Sequence, residues 1–258
     1  MHTPLLKKFH KFTYYIFIFL LHLPFVFAKK AANNSSVAGY VKPKSESSFT
    51  PKNRPAENAK GIYDSLKLNT LGLSKQAFDY AMQGYNYLRS IGKLTNDKII
   101  SIVDFSLESN KKRLFILDLE NYKILFNTYV AHGRNSGREF ASQFSNENES
   151  YKSSLGFYVT HDTYNGKHGF SLRLQGEEKG INDNALNRAI VMHSAWYVSE
   201  NVAKSQGYIG RSQGCPALPE EFTKPIIEKI KNGSCLFLYS PDKYYMSHSQ
   251  ILQTPNAA

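Results

Sequence analysis

The sequence predicts a mainly β fold: a curved, mostly antiparallel sheet or β-sandwich with a few short helices and an N-terminal helical segment. From Lys98 onward the apolar residues recur with a period of two. About seven such runs follow one another before Pro241. Turn signals separate them, among them Glu120-Asn121 and Asn165-Gly166. Dense short strands with few helical stretches favour a sheet or sandwich over alternating strand–helix units.

Taken in order, the chain opens on Lys7, Lys8 and Lys11, followed by an apolar run from Phe12 to Phe27 that His22 and Pro24 interrupt. With Val26-Phe27-Ala28 as a small-x-small site, residues 1–28 read as a secretory signal peptide. A membrane anchor is the alternative, and Pro24 and the short apolar core disfavour it. Export to the periplasm or cell envelope is therefore expected, with no stable membrane span after cleavage. Cleavage would remove three lysines and no acid, taking the formal charge from +11 to +8. A basic exported chain suits a polyanionic surface. The charge is dispersed and forms no basic helix or recognised motif, so no nucleic-acid partner is expected.

Residues 29–57 are rich in Lys, Ser, Asn and Pro and read as a flexible linker. Residues 58–97 read as a helical segment in which Ser74 caps a helix bearing Ala77, Phe78, Ala81, Tyr85 and Leu88 at helical spacing. Strands are expected over Ile100–Phe105, Arg113–Leu119, Tyr122–Ala131, Gly156–His161, Phe170–Gln175, Ala189–His193 and Cys235–Ser240. A short helix from Ser199 and a second one capped by Thr223, with Pro225 in its first turn, interrupt them. Residues 98–240 form the expected catalytic domain, and 241–258 read as a loose tail. About 150 patterned residues suffice for one core, and a monomer is expected.

The chemistry concentrates between Arg188 and Leu218. An apolar run delivers His193, and 22 positions later Cys215 stands in Gly210-Arg211-Ser212-Gln213-Gly214-Cys215-Pro216. A strand-borne base and a glycine-flanked thiol are what a Cys–His nucleophilic pair needs. The Gly214 and Cys215 N–H groups are suited to an oxyanion hole, whereas Pro216 has no N–H to offer. His132 ranks second as base or as a substrate-orienting group. His132, His161, His168 and His193 lack metal-type pairing, so neither a metal nor a cofactor is expected. Cys235 lies in an apolar strand pattern and reads as a buried thiol, with a 215–235 disulfide as the alternative.

Ser212-x-Gly214-Cys215 downstream of His193 resembles the signature of the YkuD-type murein L,D-transpeptidases, in the branch reading Arg-Ser-x-Gly-Cys-Pro-Ala-Leu. The likeness extends through His132-Gly133-Arg134-Asn135-Ser136-Gly137, Phe144-Ser145-Asn146, Lys152-Ser153-Ser154-Leu155-Gly156 and Gly169–Leu174. The better-known branch has Arg two residues after the Cys, where this chain has Ala217. The resemblance implies acyl transfer on peptidoglycan stem peptides, with Cys215 as nucleophile, His193 as base and the Ser194 carbonyl holding the imidazole. It also implies the L,D-transpeptidase type of sheet. Arg211 is the candidate for the missing cation. Ser212, His132, Arg134, Ser153 and Gly156 are the further substrate-binding candidates.

Overall fold

A computed structural model describes residues 56–254, with side chains from Gly61 onward. The expected signal segment, and all but the last two residues of the expected linker, lie outside the described residues. Among the described residues no helix is long and apolar enough to cross a membrane.

Two helices, α1 (Ala56–Ser65) and α2 (Lys75–Ser90), precede the sheet. The Ser74 hydroxyl caps α2 by accepting the Ala77 N–H, the role its position predicts. Ala77, Phe78, Ala81, Tyr85 and Leu88 are all buried along one face.

Eight strands follow: β1 (Ile99–Asp104), β2 (Leu114–Asp118), β3 (Lys123–Thr128), β4 (Gly156–Gly166), β5 (Gly169–Gly176), β6 (Val191–Ser194), β7 (Ala217–Leu218) and β8 (Cys235–Tyr239). They form one mixed sheet in the order β3-β2-β1-β8-β4-β5-β6-β7. The β1–β8 and β6–β7 pairs are parallel and the remaining pairs antiparallel. The sheet curls towards closure. After β3 the chain reaches the far end of the order, where Ala131 bridges Ala217 and Gly133 bridges Ser212.

The elements differ from their sequence expectations where local pattern is weakest. β7 has two residues, too few to show a period. The β4 strand runs through Asn165-Gly166, and the turn falls at Lys167-His168. Ala189, expected in a strand, is a turn residue with φ +52°. Helix α3 (Glu200–Gln206) follows Ser199 as expected, whereas α4 (Glu220–Ile230) starts three residues before the expected cap, and Thr223 Oγ1 instead donates to the Pro219 carbonyl. Pro225 lies inside α4, where its missing N–H leaves the carbonyl of exposed Glu221 to water.

Of the expected loose tail, residues 241–254 are instead folded, and 255–258 lie outside the described residues. Helices α5 (Lys243–His248) and α6 (Gln250–Gln253) bury Tyr245 and Ile251. Their anchor is the buried Glu178 carboxylate, which accepts from the Phe157 N–H (2.7 Å), the Tyr245 hydroxyl (3.2 Å) and the Ser249 hydroxyl. Gly156, expected at a substrate site, packs against this network: a Cβ there would stand 2.2 Å from Glu178 Oε2.

The core is set where α2 crosses the sheet. Phe157 of β4 and Phe237 of β8 occupy paired register positions and stack at 4.1 Å. Gly84 of α2 lies on the Phe157 ring, and a Cβ there would fall 2.1 Å from Cζ. Helix propensity alone would make Gly84→Ala favourable by about 1 kcal/mol. Overpacking a buried ring opposes this by roughly 1–3 kcal/mol. The overlap is deep, so Gly84→Ala should lower the thermal midpoint; an unchanged or raised midpoint by circular dichroism would contradict this packing.

Candidate active site

The β6 strand carries His193 on the face it shares with Val191. His193 is buried, and its Nδ1–H donates to the Ser194 carbonyl at 2.8 Å. A carbonyl only accepts, so in the neutral ring the lone pair sits on Nε2. The exposed His168, at the tip of the β4–β5 hairpin, stacks on this ring at 4.4 Å. Its carbonyl accepts the Ser194 hydroxyl. Burial first, and His168 second, hold the His193 imidazole below its ordinary value, against the pull of the Ser194 carbonyl.

Cys215 arrives from the other side. Ala217 is the register partner of His193, which places Cys215 two residues from that pair. The sulfur accepts the Val191 N–H at 3.5 Å and donates to the Ala189 carbonyl at 3.7 Å. The thiol therefore rests along β6, two residues from His193 on the same strand. Burial pushes the Cys215 thiol up, opposed by the Val191 N–H and the Arg188 charge. Both shifts favour the uncharged forms, so the resting pair is thiol and neutral imidazole.

The loop around Cys215 is held by two hydroxyls. Ser212 Oγ donates to the Cys215 carbonyl at 2.6 Å and accepts the Gly214 N–H at 3.0 Å. The buried Ser153 Oγ donates to the Gly214 carbonyl at 3.1 Å and accepts the Gly133 N–H. Gly214 has φ +123°, and a Cβ there would lie 2.8 Å from the Lys152 carbonyl, so only glycine fits. The Gly214 N–H, expected as an oxyanion donor, is engaged by Ser212 in this structure. Ser212 and Ser153, expected to bind substrate, both hold the Cys215 loop. Because the peptide is planar and trans, tying the Gly214 carbonyl to Ser153 turns the Cys215 N–H the opposite way.

His132 is not a second base. It is fully buried, with Nδ1 accepting from Arg113 Nη2 (2.7 Å) and Nε2 donating to the Gly137 carbonyl (3.2 Å). Burial and the Arg113 charge push it down to about 3, so it stays neutral.

The cation that acts on the thiol is Arg188, which the sequence motif around Cys215 does not include. Its half-buried guanidinium donates to the Ser145 and Lys152 carbonyls, each at 2.7 Å, and to the Ser150 and Ser154 hydroxyls. It pins the polar loop 145–154 and lends positive charge to Cys215. Its position directly before the apolar run to His193 was the available signal. Arg211 is exposed and donates to the carbonyls of Arg134 (3.5 Å) and Gly137 (3.3 Å). With Arg134 it lines a neighbouring cleft. Half-buried Tyr197 connects the two places: it lines that cleft, and burial and the Cys215 charge push its phenol up to about 12. Both cysteines are free, and Cys235 is wholly buried in β8.

Ser153→Ala would leave the Gly214 carbonyl and the Gly133 N–H without their shared partner. A loss of about 1–3 kcal/mol in folding stability is expected from denaturant titration. A loss below about 0.5 kcal/mol would show that the hydroxyl does not hold the loop.

The profile of the L,D-transpeptidase catalytic domain matches residues 69–239. No curated protein matches the chain as a relative. Solved structures to which the chain is similar include an L,D-transpeptidase from Mycobacterium smegmatis, at 13% identity and TM-score 0.35 over 55% of this chain and 59% of that one. The helical cell shape determining protein of Campylobacter jejuni is similar at 12% identity and TM-score 0.38, over 62% of this chain and 57% of that one. An L,D-transpeptidase from Stackebrandtia nassauensis is similar at 14% identity and TM-score 0.34, over 72% of this chain and 77% of that one. This chain thus spans about 59% of the length of the Mycobacterium smegmatis protein. With the profile match running from before β1 through β8, the chain belongs to the L,D-transpeptidase catalytic domain family.

Proposed function

We propose that this protein is an exported cysteine L,D-transpeptidase acting on peptidoglycan stem tetrapeptides. One observation carries the reading: the Cys215 sulfur lies against the Val191 N–H on the strand that presents His193, whose Nδ1–H is held by the Ser194 carbonyl. That arrangement leaves Nε2 free to take a proton.

In the proposed reaction His193 Nε2 removes the thiol proton as Cys215 attacks the carbonyl that precedes the terminal D-alanine. The Cys215 N–H, turned away from Ser153, is the backbone donor for the resulting oxyanion. The imidazolium protonates the departing D-alanine amine, and the thioester forms. An incoming amine then gives its proton to His193 and attacks the thioester, restoring the thiol. A neighbouring stem as acceptor yields a 3→3 cross-link; water yields a tripeptide. The Arg188 charge acts throughout by easing formation of the thiolate.

Incubation of purified protein with disaccharide-tetrapeptide, followed by mass analysis, tests the reading. A dimer lacking one D-alanine supports transpeptidation, and tripeptide alone would reassign the protein as an L,D-carboxypeptidase. No product would overturn the enzymatic reading in favour of a peptidoglycan-binding role. Arg188→Gln should lower kcat/KM roughly tenfold to hundredfold, with Arg188→Lys recovering part of the loss. Activity of Arg188→Gln within about twofold of wild type would remove Arg188 from the account.

A further inference from the structure

The base on β6 is held at its edge by a single contact, the 2.8 Å bond from His193 Nδ1–H to the Ser194 carbonyl. One bond to one ring nitrogen leaves the ring free to tilt, because χ2 of a histidine is broad. Nε2, the atom that must meet the thiol proton, swings with that tilt. A second restraint lies on the face of the ring. The His168 imidazole stacks there at 4.4 Å, inclined by 25°.

A tight turn puts His168 in that place. β4 and β5 close at the Gly166–Gly169 pair, which leaves Lys167 and His168 as the two turn residues, and Gly169 takes φ +72°. β5 lies against β6 with Leu172 opposite Met192 and Arg173 opposite Val191, so the turn emerges beside the end of β6. There the Ser194 hydroxyl donates to the His168 carbonyl at 3.2 Å. Ser194 thus serves both restraints: its carbonyl holds the edge of the His193 ring, and its hydroxyl holds the residue that covers the face.

The stack also limits what His168 can do. Rings lying face to face do not aim their nitrogens at one another, so no proton passes directly between them. Charge still acts across the stack, and a proton on His168 opposes one on His193. The other charged or titratable groups around the pair are placed differently. Arg173, on the face of β6 that carries His193, pairs with Asp162 and lies over the Tyr164 ring. Lys167 is exposed in the turn, Cys215 rests as a thiol, and Ala217 and Leu218 of β7 carry no charge.

We propose that His168 is a positioning residue for the reaction, its ring fixing the plane of the His193 imidazole and so the direction of Nε2. The inference rests on the cysteine acyl-transfer reading, in which Nε2 takes the thiol proton and returns it to the leaving amine.

The full chain is compared with His168→Ala and His168→Phe. On the plateau of the pH profile, His168→Ala should lower kcat for tetrapeptide roughly tenfold to hundredfold and leave KM within about twofold. His168→Phe restores a planar ring and should recover most of that loss. It also removes the opposing charge, so the acid limb of kcat/KM should move to higher pH. The same upward move should appear without substrate, in the NMR titration of His193 Cε1–H in histidine-labelled protein. His193→Gln identifies that signal among the eight histidines. Full kcat in His168→Ala, no recovery in His168→Phe, or an unchanged His193 titration in His168→Phe would overturn the proposal. Because the titration is read on resting protein, the two readings fail separately. A moved titration with no turnover by the parent sinks only the enzymatic reading, whereas full turnover by all three proteins with an unchanged titration sinks only this inference.

Discussion

The site depends on one buried guanidinium. Arg113 is fully buried, and among the described residues it makes no ion pair, although the Asp104 charge favours its cation. Its donors go to the Val130 carbonyl twice (3.1 and 3.0 Å), to the Leu107 carbonyl and to His132 Nδ1, and its cation stands 4.9 Å from the centre of the Phe105 ring. Burial pushes it down to about 9, which leaves it charged at neutral pH. This fixes the chain leaving β3. From there the Ala131 N–H donates to the Ala217 carbonyl, the His132 carbonyl takes the Ser212 N–H, and the Arg134 N–H donates to the Ser212 carbonyl. Those bonds join the ends of the sheet order and set Cys215 beside β6. Removing a charge so enclosed would cost several kcal/mol of hydrogen bonding and release the loop with it.

Closure also sets the electrostatics. A thiol lodged against the Val191 N–H loses water, and so does the buried His193 imidazole farther along β6. Burial disfavours thiolate and imidazolium alike, so the pair rests uncharged. What lowers the cost of ionisation is fixed in advance: the Val191 N–H on sulfur, the Arg188 charge, and the Ser194 carbonyl on Nδ1. Such preorganised groups act without reorganisation when the proton moves.

Much of this was legible in the sequence, for reasons specific to each residue. Period-two runs announced the mostly antiparallel sheet, and Ser74 and Ser199 announced their helices because a cap is a local hydrogen bond. The Ser194 contact to His193 was implied by the family resemblance, and the geometry contains it. What stayed hidden depends on distant partners. Gly156 and Ser153 stand in one motif, yet they turn to Glu178 and to Gly214 respectively. His132 has an inviting motif, but Arg113, 19 residues away, occupies it. Arg188 and Arg211 could be ranked only by knowing which of them folds over the loop. The tail after Pro241 lacks periodicity, and a buried glutamate that the sequence does not advertise holds it.

The claim that Cys215 and His193 rest uncharged, with the thiolate formed only on proton transfer, is tested most directly by the pH dependence of Cys215 alkylation. With iodoacetamide and peptide mapping, the account predicts that the rate at Cys215 climbs with pH and reaches no plateau below about pH 8.5, the ordinary thiol range. Cys235 should stay unmodified until the protein unfolds. A rate already at its plateau near pH 5–6, the mark of a standing thiolate–imidazolium pair, would contradict the account, as would equal labelling of the two thiols.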